Sequence, residues 1–285
     1  MIASAGIDGV FARAREERRA ALIGYVVAGD PDRETTLAVL DALTQAGVDL
    51  IELGVPYGDP LADGPTIAAA GQRALNAGMT LAGSIELAAE ARARGCAPIV
   101  FFTYVNPVDR YGAERFARDA RAAGAVGAIV PDVPLEELDS FAPPLREAGL
   151  AIPLLIAPTT PRERAARLAA ASTGFVYLVS RLGVTGARRE PDVAWVAAAI
   201  ERLRPATALP LTVGFGIATP AQAAAVGAVA DGVIVGSALV DSYAGASGAE
   251  AARRAAAYAA SLRAALPERS TAIRTFEYHD RSHER

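Results

Sequence analysis

Leu50-Ile51-Glu52-Leu53-Gly54 is a short apolar stretch with one carboxylate, and it runs straight into Val55-Pro56-Tyr57-Gly58-Asp59-Pro60-Leu61-Ala62-Asp63-Gly64-Pro65. An apolar run of this length suits a β-strand covered on both faces. The segment from Gly54 to Pro65 holds three prolines, three glycines and two aspartates. Proline restricts the chain and glycine permits sharp turns, so the strand opens into a long, shaped loop.

Outward from this stretch the pattern repeats. Apolar runs occur at 21–27, 49–53, 98–103, 126–130, 152–157, 174–180, 211–215 and 232–235. Helical candidates lie between them at 34–45, 113–122, 135–148, 162–171, 191–204 and 220–226. Asp132 and Ser237 read as helix starts. Eight such alternations predict an α/β fold with a parallel sheet, a single closed (β/α)8 barrel of the TIM type spanning residues 1–266. An extra N-terminal helix is expected over 4–19. Residues 267–285 are charged and lack apolar periodicity, which predicts a poorly ordered tail.

Composition removes whole classes of chemistry. The 285 residues include 28 basic and 32 acidic ones, a net charge of −4, which argues against nucleic acid and anionic membrane as main partners. No run approaches the roughly 18 apolar residues of a membrane helix, so a soluble chain is expected. The Arg-rich stretch 13–19 leads only into a short apolar run without a cleavage pattern, so no signal peptide is expected. Cys96 is the single cysteine, which rules out an intrachain disulfide and fits a reducing cytoplasm. Nothing near it would activate a thiolate. Lysine is absent, and the only histidines are His279 and His283. The body of the chain therefore has no Schiff-base lysine, no Walker lysine and no Ser-His-Asp triad, and no metal site is predicted. Proton transfer falls to Asp, Glu, Tyr or the lone Cys.

Glu52 stands at the end of its strand, where a barrel of this kind keeps its active site. The alternative is a rim glutamate paired with an arginine. Asp63 is placed to turn back over the mouth, whereas Asp59 reads as a turn residue or a partner contact. Gly214-Phe215-Gly216 follows the seventh run and Gly236-Ser237 the eighth. Backbone N–H groups at such corners bind an anion without lysine, although glycine corners also serve close packing.

The segment from Glu52 to Thr66 resembles the signature of the tryptophan synthase α chain family. Gly29-Asp30-Pro31, Tyr104-Val105-Asn106-Pro107, Pro131-Asp132-Val133-Pro134, Ser180-Arg181-Leu182-Gly183-Val184-Thr185-Gly186, Gly214-Phe215-Gly216-Ile217 and Gly236-Ser237-Ala238 match the same family in order, over roughly residues 7 to 265. The resemblance implies a carbon–carbon lyase of tryptophan biosynthesis that cleaves indole-3-glycerol phosphate to indole and glyceraldehyde 3-phosphate. It makes Glu52 and Asp63 the catalytic pair. Tyr25, Phe102, Ile129, Ile156, Tyr177, Thr185 and Phe215 become substrate-binding residues, Tyr177 as a pocket or hydrogen-bonding group. Gly186, Gly216, Gly236 and Ser237 become phosphate-binding. Thr185 lies in the family's mobile sixth loop, where Arg188 and Arg189 read as solvated turn residues. Pro56, Asp59, Asn106, Pro107 and Pro134 match regions that contact a β subunit, with an α2β2 heterotetramer expected. No cofactor is expected in this chain; the family's pyridoxal phosphate belongs to the β subunit.

Two departures stand out. Gly58 occupies a position where the family commonly has Ser, and Val27 one where Thr is frequent. A sugar-phosphate isomerase barrel is a competing reading, but it predicts acids at the ends of strands one and five, where Val26-Val27-Ala28 and Ile156-Ala157-Pro158 stand. A degenerate barrel kept as a regulatory partner predicts loss of a carboxylate or a phosphate loop, and both are present.

Overall fold

The structure is a computed structural model that describes residues 6–180 and 192–268. Eight parallel strands form the sheet: β1 (Ala21–Val27), β2 (Leu50–Gly54), β3 (Ile99–Phe102), β4 (Gly127–Ile129), β5 (Leu154–Ile156), β6 (Val176–Val179), β7 (Leu211–Gly214) and β8 (Gly232–Val235). Their order is β4-β3-β2-β1-β8-β7-β6-β5. The two outer strands approach through a single parallel bridge between Gly127 and Ala151. Ala128 N–H donates to the Ala151 carbonyl (2.9 Å) and Ala151 N–H to the Val126 carbonyl (3.0 Å). The sheet is thereby a nearly closed TIM barrel, as the eight alternations predict, with every apolar run supplying a strand.

The seam depends on residue 127 having no side chain. A Cβ there would stand 2.7 Å from the Ala151 carbonyl oxygen, and backbone cannot move aside without breaking the bridge. Gly127→Ala is expected to cost about 1–3 kcal/mol by overpacking, read as a lower denaturant midpoint at unchanged slope.

Alternation along each strand makes two cores. Inward residues such as Ile23, Tyr25, Leu50, Val100, Phe102, Ile129, Tyr177 and Ile234 fill the barrel, while Leu22, Ile51, Leu53, Phe101, Leu178 and Val233 pack against the surrounding helices. The extra N-terminal helix, Ile7–Glu16, seals the barrel floor with Ile7, Val10, Phe11 and Ala14, and the Phe11 ring lies 5.9 Å from Phe175. Beside it Arg19 makes a buried two-point ion pair with Asp49 at 2.6 and 2.8 Å. Chain up to Leu266 packs on the outer core, and Glu268 pairs with Arg18; the rest of the predicted tail, from 269, lies outside the described residues.

Local chemistry corrects two expectations. The single helix expected over 135–148 is a 3-10 turn, Leu135–Glu137, then Leu138–Phe141 and Pro143–Glu147. Pro143 and Pro144 offer no N–H to continue an α-helix. Asp132 does not start that segment: its carboxylate accepts the Val105 N–H at 3.0 and 3.2 Å and caps the helix Val105–Tyr111. A helix does begin at Ser237, but no side chain caps it. Gly236 stands at its cap instead.

Candidate active site

The second connection delivers the two carboxylates. Glu52 lies on the inward face of β2, opposite Tyr25 of β1 and Val100 of β3 in register. It is 2% exposed, and its Oε1 has no hydrogen-bond partner among the described residues. Apolar walls supply nothing to solvate a charge. Burial, and after it the nearby Asp63 carboxylate, push the Glu52 pKa up to about 8. No arginine among the described residues pairs with it, and an arginine-paired rim glutamate would show the opposite shift.

Asp63 reaches the same space from the loop. Burial raises its carboxyl to about 6, and a hydrogen bond from the Tyr104 hydroxyl opposes the rise. The same hydroxyl accepts the Ala62 N–H at 3.1 Å, which fixes the loop beside Asp63. The helix Pro65–Asn76 that follows is clamped by Arg73, which pairs with the buried Asp30 at 2.7 and 2.9 Å. At neutral pH the pair thus holds a largely protonated acid next to a largely ionised one, a division of labour suited to acid–base catalysis.

Tyr25, Glu52, Ala62, Asp63, Ile67, Phe102, Tyr177, Phe215 and Gly236 line one cleft at the C-terminal ends of the strands. The structure brings Glu52, Asp63, Tyr25, Phe102, Tyr177, Phe215 and Gly236, all named from the sequence, into one neighbourhood. Ile129 belongs to the same inner core. Ile156 does not: it packs in the outer core, and Leu155 is the β5 residue on the barrel side. Side chains alternate faces along a strand, so an error of one residue moves the contact to the opposite side.

Across the cleft from the acids, Phe215 takes φ +67 and Gly216 φ +85. A left-handed phenylalanine is strained, and such strain collects where function fixes the backbone. Ser180 helps hold it: its hydroxyl donates to the Gly214 carbonyl at 2.9 Å and also contacts that of Phe215. The Phe215 ring packs 5.8 Å from Tyr177. Gly236 precedes the uncapped helix Ser237–Ser242, which is tied to Thr66 through Asp241 at 3.3 Å. One end of the cleft is therefore acidic and the other offers backbone N–H groups. Thr185, Gly186, Arg188 and Arg189 lie outside the described residues.

Of the expected partner contacts, Asp59, Asn106 and Pro134 are exposed and Pro107 half-buried, all on loops at the mouth. Pro56 is buried and presents no surface. Asn106 donates to the Tyr57 hydroxyl at 3.0 Å, joining the second and third loops. Two residues escaped the sequence reading. Tyr104 stands in the sequence only as part of a motif, because nothing local marks a hydroxyl as the partner of a carboxylate 41 positions away. Leu61 is 71% exposed, the one large exposed hydrophobic among the described residues; its place in a polar loop was the available signal. Cys96 donates to Asp41 at 3.0 Å, and burial with that contact pushes its thiol up to about 12, which makes it inert. No helix of the described residues is long and apolar enough to cross a membrane.

Comparison with known proteins agrees with this geometry. The model of the tryptophan synthase alpha chain family matches residues 11–267. The chain is 50% identical over 241 residues to the tryptophan synthase alpha chain of Phenylobacterium zucineum, covering 84% of this chain and 87% of that one. It is 51% identical over 236 residues to that of Caulobacter vibrioides, covering 82% and 86%. Among solved structures, Mycobacterium tuberculosis tryptophan synthase superposes with a TM-score of 0.84 at 39% identity, over 93% of this chain and 99% of that one. The alpha subunit from Legionella pneumophila gives 0.82 at 33%, over 91% and 97%. A barrel with an acidic pair at one end of its mouth and open backbone donors at the other, matched along nearly its whole length, belongs to the tryptophan synthase alpha chain family.

Proposed function

We propose that the cleft between Glu52, Asp63 and Gly236 is where this chain carries out its family's reaction. That reaction is a step of tryptophan biosynthesis: indole-3-glycerol phosphate is cleaved to indole and glyceraldehyde 3-phosphate, and the indole passes to a β subunit. The observation that carries the assignment is the buried, partnerless Glu52 carboxyl with its pKa of about 8, facing an ionisable Asp63. A retro-aldol cleavage needs an electron sink, and the indole ring provides one once its C3 is protonated. Protonated Glu52 gives its proton to C3, forming an indoleninium. Ionised Asp63 accepts a hydrogen bond from the ring N–H and stabilises the positive charge. Glu52, now a carboxylate, takes the proton of the C3′ hydroxyl. The C3–C3′ bond breaks, its electron pair restores the aromatic ring, and the aldehyde leaves. The proton balance closes on Glu52 alone, so the chain works without a cofactor of its own, and the pyridoxal phosphate chemistry belongs to the β subunit.

Tyr25, Phe102, Ile129, Tyr177 and Phe215 form the walls, with Leu155 in place of Ile156 and Thr185 closing from the sixth loop. Gly186, Gly216, Gly236 and Ser237 hold the phosphate through backbone N–H groups. The catalytic domain is taken as residues 1–266 and the charged tail as 267–285, of which Glu268 pairs with Arg18 of the barrel. Asp59, Leu61, Asn106, Pro107 and Pro134 form the face toward the β subunit in an α2β2 assembly, in the cytoplasm. The test is indole formation from indole-3-glycerol phosphate, with and without a β subunit, together with gel filtration of the mixture. One indole per glyceraldehyde 3-phosphate, faster turnover with β and co-elution are expected. Turnover without association would make the chain a stand-alone lyase, and absence of indole under both conditions would end the assignment.

A further inference from the structure

The hydroxyl of Tyr25 has no role in the chemistry above, yet it is built into the cleft. Its ring is fixed on β1, meeting Phe102 edge-on with centroids 5.9 Å apart. The space for its oxygen exists because residue 54 is glycine: a Cβ at Gly54 would collide with the Tyr25 Oη. Tyr25 is only 6% exposed, and its hydroxyl makes no hydrogen bond to the described residues. It borders the cleft shared with Glu52, Asp63 and Gly236.

Topology says which part of a ligand it meets. β1 lies between β8 and β2 in the sheet. Gly236 follows β8 and Glu52 sits on β2, so a ligand joining the two must cross β1. Tyr25 is the residue it crosses: it is in register with Glu52, and a Cβ built on Gly236 would touch its Cβ at 3.8 Å. With the phosphate at Gly236 and the ring between Glu52 and Asp63, the portion over Tyr25 is the three-carbon chain. The phosphate, the ring N–H and the C3′ hydroxyl already have partners, which leaves the other hydroxyl of the chain.

We propose that Tyr25 is a specificity-determining residue whose hydroxyl hydrogen-bonds a hydroxyl of the substrate's glycerol chain. This rests on the orientation of substrate given above. It gives the enzyme a means of preferring a hydroxylated chain to a bare alkyl one, since a site built to pair a hydroxyl penalises its absence.

The test is Tyr25→Phe, which removes one oxygen and leaves the ring. Two ligands are compared: indole-3-glycerol phosphate, and an analogue with the same ring and phosphate joined by an unsubstituted propyl chain. The expected result is about a tenfold loss of kcat/KM for indole release, the size of one hydrogen bond, with the Kd of the propyl analogue unchanged within about twofold. An unchanged kcat/KM overturns the proposal. So does an equal loss on both ligands, which is what a packing role would produce. Ser237→Asp, measured alongside, checks the orientation: it should abolish analogue binding by setting a negative charge against the phosphate. Retained binding by Ser237→Asp overturns the orientation and the Tyr25 assignment with it, whereas lost binding with an unaffected Tyr25→Phe overturns the Tyr25 assignment alone.

Discussion

Glu52→Gln is expected to lower indole release by about 10³-fold, within the usual 10² to 10⁴ contribution of a general acid–base, and to make the folded protein more stable at neutral pH. The two effects have one cause. Glutamine keeps the shape and polarity of the side chain but neither gives nor takes the proton that closes the cycle. The stability effect follows from linkage. The carboxyl has its ordinary value of 4.5 when unfolded and about 8 when folded, so folding takes up a proton between those values. Its contribution is most favourable below pH 4.5 and declines as pH rises toward 8. Gln at 52 has no such decline. The melting temperature of the variant minus that of the wild type should therefore be smallest near pH 4.5, grow steadily, and level off above pH 8, reaching several degrees. Catalytic loss with a difference that stays flat from pH 5 to 8 would mean that the carboxyl is solvated in the folded state, and the acid role at C3 would have to go elsewhere.

That so much of this was legible in the sequence has a physical reason. Parallel barrel strands are covered on both faces, so β1 to β8 each appear as an unbroken apolar run, and a carboxylate inside one, as at Glu52, is conspicuous against it. The same property hides orientation. In Ile152-Pro153-Leu154-Leu155-Ile156 every residue is apolar, so composition gives no sign that Leu155 and not Ile156 faces the barrel. Continuous helix over 135–148 was equally plausible on apolar spacing, and the paired prolines at 143 and 144 decided otherwise. Long-range polar contacts were the least legible. Nothing near Tyr104 indicates that it holds the Asp63 loop, and nothing near Asp132 indicates that it caps a helix that begins at Val105, because both contacts are made by strand ends that meet only in the closed barrel. The missing cap at Ser237 belongs with these. A serine at a helix start ordinarily suggests satisfied N–H groups, whereas Gly236 occupies the cap and no side chain among the described residues bonds the first N–H groups.

Asp63→Asn is expected to reduce kcat/KM by about 10²-fold to 10³-fold, comparable to removal of one preorganised group that stabilises transition-state charge, and to change the pH profile in a way that separates it from any structural defect. In the wild-type enzyme kcat/KM should be bell-shaped, rising as Asp63 ionises near 6 and falling as Glu52 loses its proton near 8. Asparagine at 63 does not titrate, so the rise near 6 should vanish. The fall should remain but move to lower pH, because the Asp63 charge is one of the two influences that raise the Glu52 carboxyl. Tyr104→Phe is the complementary case: losing a donor that favours the ionised form should shift the rise upward while leaving the asparagine variant unaffected. Among the described residues, the groups facing Asp63 are Glu52 from β2, Tyr25 from β1 and Tyr104 from the end of β3. Of these only Glu52 titrates between pH 5 and 9, so two limbs and no more are expected. If the acidic limb survives in Asp63→Asn, some other group must ionise for turnover, and the partnership of one protonated and one charged carboxyl, on which the cleavage of the C3–C3′ bond depends, would be the wrong description of this cleft.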